Sequence, residues 1–240
     1  MIRAVFFDFY NTLARFHPPR EELQAVACGQ FGIRTSPRNI TRGYFLADAF
    51  MAREVARLPL RERAPRDRRD FFAQYQRLIL QGAGVQVSLN TAAEIFDRLG
   101  QISYDYALFE DVSPTLDALK GKGLKLGLIS NIGGDMEKVC ENLGLAKYLD
   151  FVITSQDVSS EKPHPAIFLE ALRRAQVEPQ EAMHVGDQYE SDVKGAMAVG
   201  IHPVLLDRDG MSTRVQECPR IEGLMELLEL VRMTSEVEVP

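Results

Sequence analysis

Asp8 closes the apolar run Val5-Phe6-Phe7, Ser130 and Asn131 close a second run, "LGLIS", and Asp187 follows a third that ends at Val185. Asp192 comes soon after Asp187, and Lys162 stands in "SSEKPHP", just ahead of a helix-like segment. An isolated charge at the end of a buried strand is costly, so each of these needs a partner or a task. A set of carboxylates suits a hard divalent cation such as Mg²⁺. A lysine and a hydroxyl suit an anion such as phosphate. Asp8 can then act as a nucleophile that forms a covalent carboxyl ester or acyl phosphate.

These residues meet only if the apolar runs lie side by side and point the same way. Five runs read as strands: 2–7, 124–129, 151–154, 182–185 and 201–206. They are nearly continuous rather than alternating, as expected of strands covered on both faces. Amphipathic segments alternate with the later runs, at 113–120, 135–143, 165–175, 190–199 and 221–233. That order predicts an α/β fold, a Rossmann-like parallel sheet with helices on both faces, whose ligands sit at the carboxyl ends of the strands.

The alternation lapses between residues 15 and 107. Helix-like stretches at 21–31, 38–58, 70–81 and 91–99 predict an all-α domain inserted after the first strand. The α/β core is then 1–14 together with 108–240. The stretch "PLRERAPRDRRD", 59–70, reads as a charged break between two helices. Its arginines, with Arg53 and Arg57, read as a solvated, salt-bridged face, the alternative being a lid that gathers anionic substrates. Gly43, Gly82, Gly84, Gly133 and Gly134 include candidate hinges. The final "TSEVEVP" reads as a frayed tail.

In order and position, these residues resemble the haloacid dehalogenase superfamily over the whole chain. Asp8 with Thr12-Leu13 is similar to the first motif, Ser130 to the second, Lys162 to the third, and Gly186-Asp187 with Asp192 to the fourth. The helical insert resembles the family's cap. The resemblance implies that Asp8 attacks phosphorus and becomes an aspartyl-phosphate. It implies that Ser130 and Lys162 hold phosphoryl oxygens. It implies that Asp8, Asp187 and the Tyr10 carbonyl ligate Mg²⁺, with Asp192 supporting the metal or its waters. Asn131, beside Ser130, can donate to a phosphoryl oxygen. Arg15, where the chain leaves the core, can meet a substrate carboxylate or phosphate.

Tyr10 departs from that pattern, because most family phosphatases carry a second aspartate there. Tyrosine keeps the main-chain carbonyl and loses the carboxyl that serves as general acid and base. The 2-haloacid dehalogenases carry a tyrosine in a first motif Asp-x-Tyr-Gly-Thr-Leu, to which Asp8-Phe9-Tyr10-Asn11-Thr12-Leu13 is similar. In that alternative Asp8 attacks carbon without a metal. Asn11 replaces the glycine and tolerates a left-handed turn. The acidic fourth motif favours the metal, and hence the phosphatase, since a further carboxylate beside Asp8 needs a cation. A weakly active ligand-binding relative is the third reading.

The resemblance implies a small anionic substrate, a phosphate ester or a haloacid. The chain of 240 residues is 45% hydrophobic and 26% charged, with a net charge of -6, which argues against a nucleic-acid binder. No run of 18 apolar residues suggests a membrane span, and "MIRAVFFDF" does not read as a signal peptide. Cys28, Cys140 and Cys218 form no metal or disulfide pattern, which predicts a cytoplasmic protein. His17, His164, His184 and His202 lack ligand spacing, and His184 reads as a core histidine.

Overall fold

Val5, Phe6 and Phe7 are fully buried because β1 (Ala4–Phe7) is covered on both faces. The computed structural model describes residues 1–212 and 215–236. β1 lies between β4 (Lys125–Ser130) and β6 (Ala182–Gly186). β5 (Phe151–Thr154) extends the sheet beyond β4, and β7 (His202–Leu206) and β8 (Arg220–Ile221) extend it beyond β6. Every pairing in this six-stranded sheet is parallel.

The side chains of β1 alternate between two cores. Val5 and Phe7 join Leu126, Leu128, Met183 and Val185 under α5 (Val112–Gly121), α6 (Met136–Asn142) and α9 (Leu227–Glu236). Ala4 and Phe6 join Ile129 and Ile153 under α7 (Pro165–Ala175) and α8 (Lys194–Ala198). Each fully buried phenylalanine contributes about 1.5–3 kcal/mol of apolar transfer. The central strand therefore anchors Asp8 on a rigid element.

Contacts divide the chain into two units: Met1–Arg15 with Tyr106 onward, and Phe16–Asp105. The chain passes between them within β2 (Ala14–His17) and returns within β3 (Asp105–Leu108), and these two strands pair with each other. Neither strand was expected from the sequence, since both are short and mix apolar with polar residues.

The second unit comprises α1 (Arg20–Gly29), α2 (Pro37–Arg57), α3 (Pro65–Gly82) and α4 (Leu89–Leu99). Ser36 and Ser88 cap α2 and α4 by accepting from Asn39 N and Thr91 N. The charged break is shorter than expected. α3 starts at Pro65, whose fixed φ suits a first helical position, and only a 3₁₀ turn at Leu60–Glu62 interrupts the helices. Gly43 and Gly82 are packing glycines rather than hinges. A Cβ on Gly43 would lie 2.0 Å from Ile79 O, and one on Gly82 would lie 2.6 Å from Gly43 Cα.

Two further expectations change. The helix expected at 190–199 begins as a π-type turn, Tyr189–Val193, before α8. Ile221 belongs to β8, and the last helix starts only at Leu227. That helix runs to Glu236, so the expected tail is helical at its start, and its final residues lie outside the described ones.

Gln76, in α3, is fully buried, and among the described residues neither of its side-chain polar atoms has a partner. A buried unsatisfied group costs about 1–3 kcal/mol. Gln76→Leu is therefore expected to stabilise the protein by about that amount in urea unfolding. A loss of stability would mean that the amide is hydrogen-bonded.

Candidate active site

Asp8 follows β1, and its N–H donates to Val185 O at 2.9 Å. The loop after it folds back, with Leu13 N and Ala14 N both donating to Phe9 O at 2.9 Å. Asn11 takes φ 61°, the left-handed conformation that its side chain tolerates. From that position its Nδ2 donates to Asp187 Oδ2 at 3.0 Å. The turn thereby ties the end of β1 to the end of β6.

Lys162 is 2% exposed and bridges two carboxylates. Its Nζ donates to Asp8 Oδ1 at 2.5 Å and to Asp192 Oδ1 at 2.6 Å. Asn131 sets its main chain: Lys162 N donates to Asn131 Oδ1 at 2.7 Å, and Asn131 Nδ2 donates to Lys162 O at 3.0 Å. Both polar atoms of Asn131 thus serve as a strut. Ser130 is 1% exposed, and its Oγ accepts from Ile132 N at 3.1 Å. Thr12 is fully buried, with no partner for its Oγ1 among the described residues.

The π-type turn explains how Asp192 reaches this group. Gly186 precedes it, and a Cβ there would lie 2.2 Å from Asp192 Cγ, so only glycine fits. Asp192 Oδ2 accepts from Gln188 N at 3.0 Å, while Oδ1 receives both Lys162 and His184 Nε2, the latter at 2.9 Å. His184 is a core residue, as its place in a strand predicts, yet it also touches the acidic group. Its ring lies edge-on to Phe168 at 5.2 Å. Its neighbours "HVGD" are the sequence signal that points to this place.

Asp8, Asp187 and Asp192 each offer an oxygen within 4.8 Å of the others. Burial raises the Asp8 carboxyl, Lys162 pulls it down and Asp192 pushes it up, and the balance leaves it at about 6. For Asp192 burial opposes ionisation too, but Lys162 and His184 outweigh it and hold the carboxyl below its usual range. Burial alone would lower Lys162, and the two carboxylates reverse that and raise it. Burial lowers His184, so the imidazole stays neutral and donates through Nε2. Three carboxylates face one ammonium, an oxygen-only donor set with two negative charges in excess. That chemistry fits a hard divalent cation.

Lys162→Met leaves two buried carboxylates without their cation. It is expected to cost about 3–5 kcal/mol in thermal or urea unfolding without Mg²⁺. Unchanged stability would show that the carboxylates are neutral in the absence of metal.

A second brace was not legible in the sequence. Arg208 donates to both oxygens of Asp111, at 3.0 and 2.9 Å, and to Thr12 O at 2.9 Å. Its guanidinium stacks on Phe109 at 4.0 Å. Burial would raise Asp111, but Arg208 and Leu224 N–H outweigh it and keep the carboxyl low. The loop that carries Thr12 is thus pinned from its far end. Arg15 is exposed and lies over Phe109, 5.3 Å from its centre, rather than among the acidic residues. Tyr10 is half-buried and its main chain bridges to Ala14.

The family profile described as haloacid dehalogenase-like hydrolase matches residues 2–200. "Haloacid dehalogenase-like hydrolase domain-containing protein 3" of Mus musculus is 36% identical over 140 residues, and the match spans 55% of this chain and 56% of that protein. "Glyceraldehyde 3-phosphate phosphatase" of Methanopyrus kandleri is 30% identical, covering 97% of this chain and 98% of that one. Among solved structures, a HAD phosphatase from Thermococcus onnurineus aligns with a TM-score of 0.57 at 26% identity, covering 96% and 98% of the two chains. A 2-haloacid dehalogenase from Pseudomonas syringae aligns equally well, with a TM-score of 0.57 at 26% identity, covering 97% and 99%.

Proposed function

Since the chain belongs to the haloacid dehalogenase-like hydrolase family, we propose that it is a Mg²⁺-dependent phosphatase of small phosphate monoesters, working through an aspartyl-phosphate at Asp8. The observation that carries this reading is Asp187, held by Asn11 next to Asp8 and Asp192. A metal-free route would gain nothing from a further carboxylate there, which only adds repulsion. The full-length likeness to a glyceraldehyde 3-phosphate phosphatase supports the same substrate class.

Asp8 and Asp187, with the Tyr10 carbonyl, would hold the cation. Bound there, Mg²⁺ neutralises charge on the phosphoryl oxygens. Both Asp192 oxygens already receive donors, so Asp192 serves the cation indirectly and anchors Lys162. An Asp8 oxygen attacks phosphorus, the P–O bond to the leaving group breaks, and the leaving alkoxide takes up a proton from water. Water then attacks the phosphorus of the aspartyl-phosphate, the Asp8 O–P bond breaks, and inorganic phosphate leaves as the Asp8 carboxylate is regenerated. Lys162 places two of its three N–H groups on carboxylates and offers the third to a phosphoryl oxygen. The Ser130 hydroxyl, the second Asn131 amide hydrogen and Thr12 Oγ1, which has no partner among the described residues, complete the donors. Phosphoryl transfer depends chiefly on such alignment and charge neutralisation.

The unit Phe16–Asp105 is read as the cap that selects the substrate, and Arg15 as a contact to its anionic end. The core in this reading is the other unit, Met1–Arg15 with Tyr106 onward, one or two residues wider at each junction than the expected 1–14 and 108–240. No helix among the described residues is long and apolar enough to cross a membrane. Three free cysteines support the reading of a cytoplasmic setting. The second reading, a metal-free 2-haloacid dehalogenase, draws on Tyr10 alone among the residues of the site.

A cation must displace the proton from Asp8. Its apparent affinity is therefore expected to fall as pH drops through about 6, approaching about tenfold per pH unit below that point. Mg²⁺ titration by calorimetry across this range reads the effect. An affinity that ignores pH would remove Asp8 from the ligand set.

A further inference from the structure

Phe16–Asp105 carries a positive excess in an acidic chain. It holds 13 arginines and no lysine against 10 acids, a net +3 within a total of -6. Most of its acids near α2 already have partners. Asp48 accepts from Arg20 and Tyr75, at 2.9 and 2.6 Å. Glu54 pairs with Arg57 and Arg63. Gln74 Oε1 accepts from Arg77 at 2.6 Å. Arg42 and Arg53, both exposed on α2, have no acidic partner among the described residues.

Those two arginines flank a cleft of about 590 Å³ between α2 and α3. From α2 it is lined by Arg42, Leu46, Phe50 and Arg53, which recur on one face of the helix. From α3, Gln74 and Leu78 face them. The cleft is complete within this unit, because every lining residue belongs to it. Leu46 is 48% exposed, an apolar floor left open to solvent. The arginines stand about 16 Å apart along the helix axis, one at each end of that floor. The volume is in the range of small-molecule sites.

We propose that this cleft binds an amphipathic anion, a carboxylate or phosphate head on an apolar body. A guanidinium presents a planar fork of donors that matches either head group. Leu46, Phe50 and Leu78 take the hydrocarbon, which gains with each methylene removed from water. Two cations with no neutralising acid among the described residues, at the rims of an apolar cleft, are the arrangement such a ligand completes. The site goes beyond the reading of the acidic group around Asp8 and does not depend on it.

Calorimetric titration of the full chain with octyl phosphate and with octanoate tests the proposal, the two probes separating phosphate from carboxylate heads. Saturable binding of at least one probe is expected in EDTA, where octyl phosphate is not turned over, and equal in the Asp8→Asn protein. The double variant Arg42→Gln with Arg53→Gln is expected to weaken it by about tenfold or more. Shortening octyl to butyl is expected to weaken it further, by more than about tenfold. Both substitutions fall on exposed side chains, so the variant retains its fold, which circular dichroism checks. No saturable binding of either probe would overturn the proposal. So would binding unchanged in the double variant, or binding lost in Asp8→Asn, which would place the probe at the acidic group instead.

Discussion

Asp8→Asn is expected to abolish turnover, by about 10⁴-fold or more, and at the same time to raise the melting temperature of the metal-free protein. The first effect follows from removing the proposed nucleophile. The second follows from the electrostatics of the site. Burial and Asp192 hold the Asp8 carboxyl up at about 6, against an ordinary 3.8. Below 3.8 the folded and unfolded chains are both protonated at this group, and it costs nothing. Between 3.8 and 6 the unfolded chain ionises while the folded chain resists, so stability is lost as pH rises through that window. Above it the penalty is constant. Asparagine keeps an oxygen for Lys162 and carries no charge, so the penalty disappears. Mg²⁺ is expected to stabilise the natural protein and to have much less effect on the variant. Thermal unfolding at neutral pH, with and without Mg²⁺, reads both. A variant that melts lower than the natural protein without metal would contradict this account of the acidic cluster.

Tyr10→Asp is expected to raise turnover on alkyl phosphates by about 10²-fold, with a smaller gain on aryl phosphates. An alkoxide leaves poorly unless it is protonated, whereas a nitrophenolate leaves without help. The tyrosine hydroxyl, with a reference pKa of about 10, is a poor base for activating water near neutrality. An aspartate restores both the proton donor and the base while the main-chain carbonyl stays in place. Comparing a series of phosphate esters in the two proteins checks this. The slope against leaving-group basicity should be steep in the natural protein and shallow in the variant. Equal turnover of both proteins on every ester would show that Tyr10 does not limit the chemistry.

Much of the site was legible because a parallel sheet gathers its strand ends at one edge. Asp8, Ser130, Lys162, Asp187 and Asp192 all sit after or beside the expected apolar runs, and Asp8, Asp187 and Asp192 do lie together. The strand at 151–154 and the helix at 165–175 match the structure residue for residue, since each is a distinct apolar or amphipathic run with clear ends. Asn11 was legible as a left-handed turn residue, though not as the partner of Asp187, which lies 176 positions away. Arg208 and Asp111 stayed hidden for the same reason, being 97 positions apart with no local pattern. The π-type turn left no periodic trace, because an extra residue in one helical turn resembles an ordinary helix start. β2 and β3 escaped because four residues of mixed polarity carry too little signal. Asn131 reads as a ligand donor in isolation. Its partner turned out to be the main chain of Lys162.

The central claim is that Asp8 is the nucleophile of a metal-dependent phosphoryl transfer. Product release from 4-nitrophenyl phosphate, with Mg²⁺ and then with EDTA, tests it most directly, because that leaving group needs no proton donor. Turnover that is present with Mg²⁺, lost with EDTA and lost in Asp8→Asn is the expected result. Absence of turnover with Mg²⁺, together with halide release from a 2-haloacid that EDTA leaves untouched, would contradict the claim and assign Asp8 to attack on carbon.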